Sequence, residues 1–234
     1  MFNTQHILYM LISGLLSLLL LLWAAKTCTQ QSQKDRFLKC FAILTVIIHY
    51  SDIWVDFFTS SGNVYVSSVH ILPVYPCNIV MWMLLLASLL KNKAALPFQM
   101  LSQFCFYIGT LCAVLGIVLN ENFDNNPTLA DYSVLKGLLS HSTMLLGCLY
   151  MKTGKYFHVS PFNVCSVAAG LLSFVLCGIG VNRLYDHFGM EAPDGMFLRH
   201  NPYFPCSPIV PGIVLIVVMY LVLLWIQRRQ KRKK

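Results

Sequence analysis

Four short stretches of this chain carry side chains that can do chemistry, and each lies within an apolar run. His49, Asp52 and Asp56 are spaced i, i+3 and i+7, which puts them on one face of a helix. The stretch His70-Ile-Leu-Pro-Val-Tyr-Pro-Cys77-Asn78 joins a thiol to two prolines. Ser140-His141-Ser142-Thr143 brings a second imidazole, and Asn182-Arg183 closes a later run. A thiolate beside an imidazole is a nucleophile–base pair. Pro76 suits the first position of a helix, and a helix starting there holds Cys77 in its first turn. There the unsatisfied N–H groups and the positive dipole end favour the thiolate. His141 or His49 supplies the base in this reading, and Asp52 or Asn182 the third group that orients it. Cys77 has two other readings: inert packing, as for mid-helix Cys105, Cys112, Cys148, Cys165 and Cys177, or a disulfide with Cys206 in an oxidising compartment. Asp52 and Asp56 read first as walls of a wet vestibule and second as catalytic groups. His158 and His187 fall in loops and read as solvated. No metal-ligand spacing, phosphate loop or dinucleotide fingerprint occurs, so neither a metal nor a cofactor is expected.

The elements that must position these groups follow from composition. Of 234 residues, 57% are hydrophobic and 11% charged, with mean hydropathy +0.64. A soluble domain carries about 25% charged residues, so a soluble globular protein is excluded. A membrane helix needs ~20 apolar residues, and seven such segments can be read: 7–25, 37–58, 69–90, 96–119, 132–151, 162–185 and 209–227. They imply an all-α bundle of seven transmembrane helices forming one domain over 1–234, with a basic tail at 228–234. The first segment resembles a signal peptide. It lacks Lys and Arg ahead of its apolar run, and that run is longer than a typical h-region, so it reads as a retained helix; cleavage after Ala25 is the alternative.

Charge sets the orientation. Lys26, Lys34, Arg36, Lys39, Lys91, Lys93, Lys152, Lys155 and the six cations after Gln227 fall on one side, leaving only Lys136, Arg183 and Arg199 of the 17 on the other. The positive-inside rule makes the first side cytosolic and the amino terminus outer or lumenal. The tail Arg228-Arg-Gln-Lys-Arg-Lys-Lys directly follows an apolar segment, so it reads as an anchor on anionic lipid rather than a nucleic-acid site. It also loosely resembles a dibasic retrieval signal of the endoplasmic reticulum. With this topology Asp52 and Asp56 lie near the outer end of span two, and Asn182 near that of span six. Cys77 and His141 lie each ~12–15 Å below the same surface at 1.5 Å per residue. Four helices thus bring polar groups to one half of the bundle, where ionisable groups usually face a cavity or one another.

Three pieces of the chain carry a family resemblance: Leu72-Pro-Val-Tyr-Pro-Cys77-Asn78, the His141-Ser-Thr-Met-Leu-Leu146 run after an acidic outer loop, and Asn182-Arg183 with Arg199-His-Asn-Pro202. They resemble the YwaF-like integral membrane family and look most like its animal branch, the transmembrane protein 164 group, over about Phe37 to Trp225. That pattern is a Leu-Pro-x-x-x-Cys element in one helix and a helix-borne His later on. The resemblance implies a phospholipid acyltransferase working through a membrane-embedded Cys and His, which map to Cys77 and His141. Two departures occur. Bacterial members often have Asp after the Cys, where this chain has Asn78, and the second His of several relatives is Ser142 here. An acyl chain would pass between phospholipid and lysophospholipid through a Cys77 thioester. His49, Asp52, Asp56, Asn78, Asn182 and Arg183 would support the site, with Asn78 or backbone N–H groups donating to the oxyanion. The expected location is the endoplasmic reticulum membrane in a eukaryote, or the plasma or inner membrane otherwise.

Two rival classes remain open on sequence. A transporter or channel would use His49, Asp52, Asp56 and His141 as a proton or cation path, although neither matching charges in the other half nor internal repeats are visible. A seven-helix receptor suits the topology, but Asp-Arg-Tyr and Asn-Pro-x-x-Tyr are missing from the places a rhodopsin-like receptor needs them.

Overall fold

A computed structural model describes residues 3–59, 72–120, 123, 127–189, 194–199 and 209–231. Those residues form helices and connecting turns with no strand among them. Helix α1 runs Thr4–Thr27, started by Asn3, whose side chain accepts from the His6 N–H at 2.9 Å. After a short turn α2 runs Gln31–His49, with the Gln33 side chain reaching back to the Gln30 N–H at 3.1 Å. The apolar segment 37–58 does not continue as one helix: it breaks at Tyr50 and resumes as α3, Ser51–Thr59.

Helix α4 begins at Pro76 and ends at Leu89. Residues 72–75 ahead of it are not helical, and 69–71 lie outside the described residues. Pro76 has no N–H to lose at that first position and its ring pre-sets the helical φ, which is why the start falls there. The fourth apolar segment is one helix, α5, Leu96–Val118, interrupted by a π-helical turn at Cys105–Gly109. Helix α6, Tyr132–Thr153, is capped by the Asp131 carboxylate accepting from the Val134 N–H at 3.1 Å. Helix α7, Asn163–Phe188, stops at Gly189, whose φ of +60° is the left-handed conformation that closes helices. A short 3-10 turn, Gly195–Phe197, precedes α8, Ile209–Lys231.

Five of these helices, α1, α5, α6, α7 and α8, are long and apolar enough to cross a membrane. The other two expected spans differ. Helix α2 opens on the charged Lys34-Asp-Arg36 stretch, and α4 covers 14 residues, about 21 Å against a hydrocarbon core of about 30 Å.

Apart from the short α3, successive helices alternate in direction, so the bundle has two distinct ends. One carries Asn3, Tyr50, Pro76, Ile117 and Asp131, joined by Asn3 Nδ2 donating to Pro127 O at 2.8 Å and the Leu129 N–H donating to Gln5 Oε1 at 3.0 Å. The other, the basic end, carries Thr27, Lys93, Thr153 and Asn163. It is tied by the Tyr156 hydroxyl donating to Asp35 at 2.8 Å and by Gln99 donating to Lys93 O and Tyr156 O at 2.7 and 2.9 Å. Asp35 raises the Tyr156 pKa together with burial, because both favour the neutral phenol.

Helix α6 is central, touching α1, α2, α4 and α5, while α8 packs mainly on α7. The core between the middle of the bundle and the basic end is dense: Leu38, Ala42, Leu84, Phe98, Phe104, Tyr150 and Met151 are all almost fully buried. Close approach is possible because of small residues. A Cβ on Gly109 would lie 2.6 Å from Cys148 Sγ, so α5 and α6 can touch there only through glycine.

Candidate active site

Helix α2 ends at His49, α4 starts at Pro76 beside it, and α6 packs against both. Their facing residues enclose one small pocket lined by Thr45 and His49 from α2, Cys77 and Met81 from α4, and Ser140, His141 and Met144 from α6. The enclosed space is about 10 Å³, room for one water molecule. Cys77, His49 and His141 are half-buried here, whereas Thr45, Met81, Ser140 and Met144 behind them are buried. The three groups singled out as nucleophile and candidate bases therefore share one pocket wall.

Each is held by its own neighbours. Cys77 sits in the first turn of α4 and its thiol donates to Asn78 Oδ1 at 3.4 Å. The Asn78 nitrogen points the other way, donating to Leu72 O at 3.5 Å. Asn78 thus presents an acceptor to the sulfur, which corrects the expectation that its amide donates toward an oxyanion at Cys77. His141 Nδ1 lies 2.7 Å from Gly137 O one turn back. A carbonyl oxygen can only accept, so Nδ1 carries the proton and Nε2 keeps its lone pair, the form a general base requires. The Nε2–Cδ2 edge rests on α5: a Cβ built on Gly116 would lie 2.1–2.2 Å from those two atoms. The seat of the imidazole exists because residue 116 has no side chain.

The remaining candidates go elsewhere. Asp52, on α3, forms an ion pair with Lys136 of α6, both side chains largely buried, and so ties α3 to α6. The Asp56 side chain lies outside the described residues. Asn182 is buried, and its Oδ1 accepts from the Gly195 N–H at 2.7 Å. That bond seats the 3-10 turn, whose Met196 N–H donates to Val74 O at 2.8 Å, two residues before Pro76. Asn182 therefore acts on the approach to α4 and not in the pocket. Arg183 is exposed, and the arginine that bonds here is Arg199, donating to Asn182 O at 3.1 Å and pairing with Asp186 at 2.5 Å. Met196 and Phe197 both have φ of +56°, a left-handed conformation that costs energy in residues with a side chain. Cys206, the alternative partner for Cys77, lies outside the described residues.

Sequence reasoning missed the clasp that α1 puts on this site. His6 is buried, donates from Nε2 to Ile117 O at 2.7 Å and stacks on Phe123 with ring centroids 4.6 Å apart. Tyr9 bonds the Ser142 hydroxyl at 2.9 Å, one residue from His141. A polar group at positions 6 and 9 of a run bound for lipid was the signal; its partners, over a hundred residues away, were not visible. Gly116 was missed likewise, since nothing local marks it among apolar neighbours.

A model of the TMEM164 family matches residues 1–227, a range that takes in every residue of the pocket. No curated protein and no solved structure matches.

Proposed function

From the premise that the chain belongs to the TMEM164 family, an integral membrane family, we propose that the Cys77–His141 pocket is the active site of a membrane-embedded acyltransferase. It moves a fatty acyl chain between phospholipid and lysophospholipid. The observation that carries this is the meeting of a first-turn cysteine with the two imidazoles of separate helices in one pocket.

The chemistry follows from the groups. His141 Nε2 takes the Cys77 thiol proton, and the sulfur attacks the ester carbonyl. The C–O bond breaks, and the lysophospholipid oxygen leaves with that proton. His141 then accepts the proton of an incoming lysophospholipid hydroxyl, its oxygen attacks the thioester, and the C–S bond breaks to restore the thiol. The first-turn N–H groups of α4 stabilise the oxyanion of both steps. Thr45 and Ser140, with hydroxyls 2.7 and 3.0 Å from Phe41 O and Gly137 O, give the pocket a polar floor. Asp52 is neutralised by its ion pair with Lys136, and the packed core of Leu84, Phe98, Phe104 and Tyr150 lies between the pocket and the basic end. Both favour a closed reaction site over a proton or cation path.

The finer topology belongs to the same proposal. The α2–α3 unit and α4 with the residues ahead of it complete seven passes, the basic end is cytosolic, and the pocket opens toward the outer or lumenal leaflet. In a eukaryotic cell that membrane is the endoplasmic reticulum, with the tail from Arg228 lying on anionic lipid.

The test is incorporation of labelled acyl chains into lysophospholipid by protein reconstituted in vesicles. Cys77→Ala accumulates normally, being a small volume change, and loses incorporation. His141→Ala does the same, and the double variant is no worse than either single one, as for residues acting as a unit. Cys165→Ala, an exposed cysteine at the basic end of α7, keeps activity. Full transfer by Cys77→Ala would sink the thioester mechanism.

A further inference from the structure

An acyl donor dissolved in the bilayer has to reach a thiol whose pocket holds only a water. The wall on its lipid side is thin. Helix α2 presents Ile43, Ile47 and Tyr50 at i, i+4 and i+7, and its antiparallel neighbour α4 presents Trp82, Leu86 and Leu89 at the same spacing. All but half-buried Tyr50 are exposed, Trp82 at 45%, so the two stripes mark the outward faces on either side of the α2/α4 seam. The stripes meet where Trp82 Nε1 donates to the Tyr50 hydroxyl at 3.2 Å, with ring centroids 5.8 Å apart. Directly behind stand two pocket residues: His49, its ring edge-on to Tyr50 at 5.1 Å, and Met81. Successive residues on a helix turn by 100°, and in antiparallel helices those turns are mirrored. The pair that lines the pocket and the pair one residue on that closes the seam therefore lie side by side.

We propose that the Tyr50–Trp82 pair is the lipid-side gate of the Cys77 pocket, and that the acyl chain of a membrane phospholipid reaches the thiol by parting it. This deepens the acyl-transfer reading and rests on it for the identity of the ligand. Trp82 lies five residues beyond Cys77 on α4, about 7.5 Å further from the Asn3 end. The chain of an ester whose carbonyl sits at Cys77 thus runs past Trp82, toward the middle of the bundle. The polar and ring contacts between the two gate residues are one hydrogen bond and one tilted ring pair. Each is modest, so the pair can open while the packed core nearer the basic end stays shut. Trp82 and Tyr50 would then also set how bulky an acyl chain is accepted.

The experiment reads the gate through Cys77 itself. Full-length protein in phosphatidylcholine vesicles is treated either with a phospholipid bearing a maleimide at the end of one acyl chain or with a charged, water-soluble maleimide. Modification of the Cys77 peptide is followed by mass spectrometry. Trp82→Ala should speed the lipid-borne reagent about tenfold, the effect of losing one hydrogen bond and one ring contact, and leave the water-soluble one within about twofold. Tyr50→Phe, which removes only the acceptor, should act in the same direction and less. Trp82→Phe supplies a milder second variant if Trp82→Ala fails to accumulate. An unchanged rate with the lipid reagent, or equal acceleration of both reagents, overturns the gate. Labelling requires only the thiol, so selective acceleration in a protein without transfer activity supports the gate and overturns the acyl-transfer reading alone.

Discussion

The His141 ring is held by two contacts on opposite edges, and each has a different origin. Gly137 O takes the Nδ1 proton at 2.7 Å, a bond local to α6 that fixes the tautomer. Gly116 supplies the space for Nε2, and it comes from α5. A methyl group there overlaps the ring, so in Gly116→Ala the imidazole must swing away and surrender either its bond to Gly137 O or its place in the pocket. A displacement of about 1 Å in a catalytic group can cost about a hundredfold in rate. Acyl transfer by Gly116→Ala should fall by roughly that factor while the protein accumulates in the membrane near the level of the unaltered protein. Retained transfer would show that His141 works from another position, or not at all. Asp52 shows a different case: its type and spacing say nothing of a partner on another helix, and it pairs with Lys136 of α6. Removing one partner of a mostly buried pair strands the other charge, so Asp52→Ala should cost stability before it costs chemistry.

At the scale of elements, the start of α4 is the part that most needs support. The chain enters it through a non-helical stretch, and its first residues carry the thiol. The 3-10 turn Gly195–Phe197 braces that stretch, with Met196 bonded to Val74, Phe197 facing Tyr75 at a ring distance of 5.8 Å, and Asn182 holding Gly195. Two consecutive left-handed residues in the turn persist because these contacts over-determine them. Asn182→Leu leaves the buried Gly195 N–H without its acceptor, a loss of about 1–3 kcal/mol. Hydrogen exchange at Gly195 and Met196 should accelerate about 10- to 100-fold, following the same free energy. Unchanged protection there would mean that the turn is held by its rings and Arg199 rather than by Asn182. The π-helical turn in α5 is a second element-level device. It ends at Gly109, and Gly109 and Gly116, seven residues apart, both turn toward α6.

The whole molecule is asymmetric along its axis. Toward the basic end, aromatic residues and Leu84 fill the space between helices. At the Asn3 end the polar groups Cys77, His49, His141, Ser140 and Thr45 meet. Lipid as the surrounding solvent explains the periphery, where Leu8, Leu11, Leu15, Leu19 and Trp23 of α1 and Val214, Val217, Leu221 and Trp225 of α8 are exposed. The proposed orientation has a direct check in probes at exposed positions of the two ends. Cysteines placed at Ala130 and Lys155 should react from opposite faces of sealed vesicles, Lys155→Cys from the cytosolic side. Reaction of Ala130→Cys from the cytosolic side would reverse the bundle and move the active site to the other leaflet.

Much of this was legible in one dimension, because lipid imposes a rule that is local in sequence. Every backbone polar group in the hydrocarbon must be satisfied within its own helix, so apolar runs could be read as an all-α membrane bundle. Pro76 marked the beginning of α4 for an equally local reason, its missing N–H. Depth followed from counting residues, and that alone was enough to bring Cys77 and His141 toward one level. Partner choice was not legible. Periodicity says which face a residue lies on but not which helix that face meets, so the pairing of Asp52 with Lys136, the hold of Asn182 on Gly195 and the bond from Tyr9 to Ser142 were decided by packing alone. So was the break at Tyr50, where continuous hydrophobicity suggested one helix. A chain can be apolar without being straight, and here it turns so that Tyr50 meets Trp82. Gly116 is the sharpest case, since an absent side chain acquires meaning only when another helix fills the space it leaves.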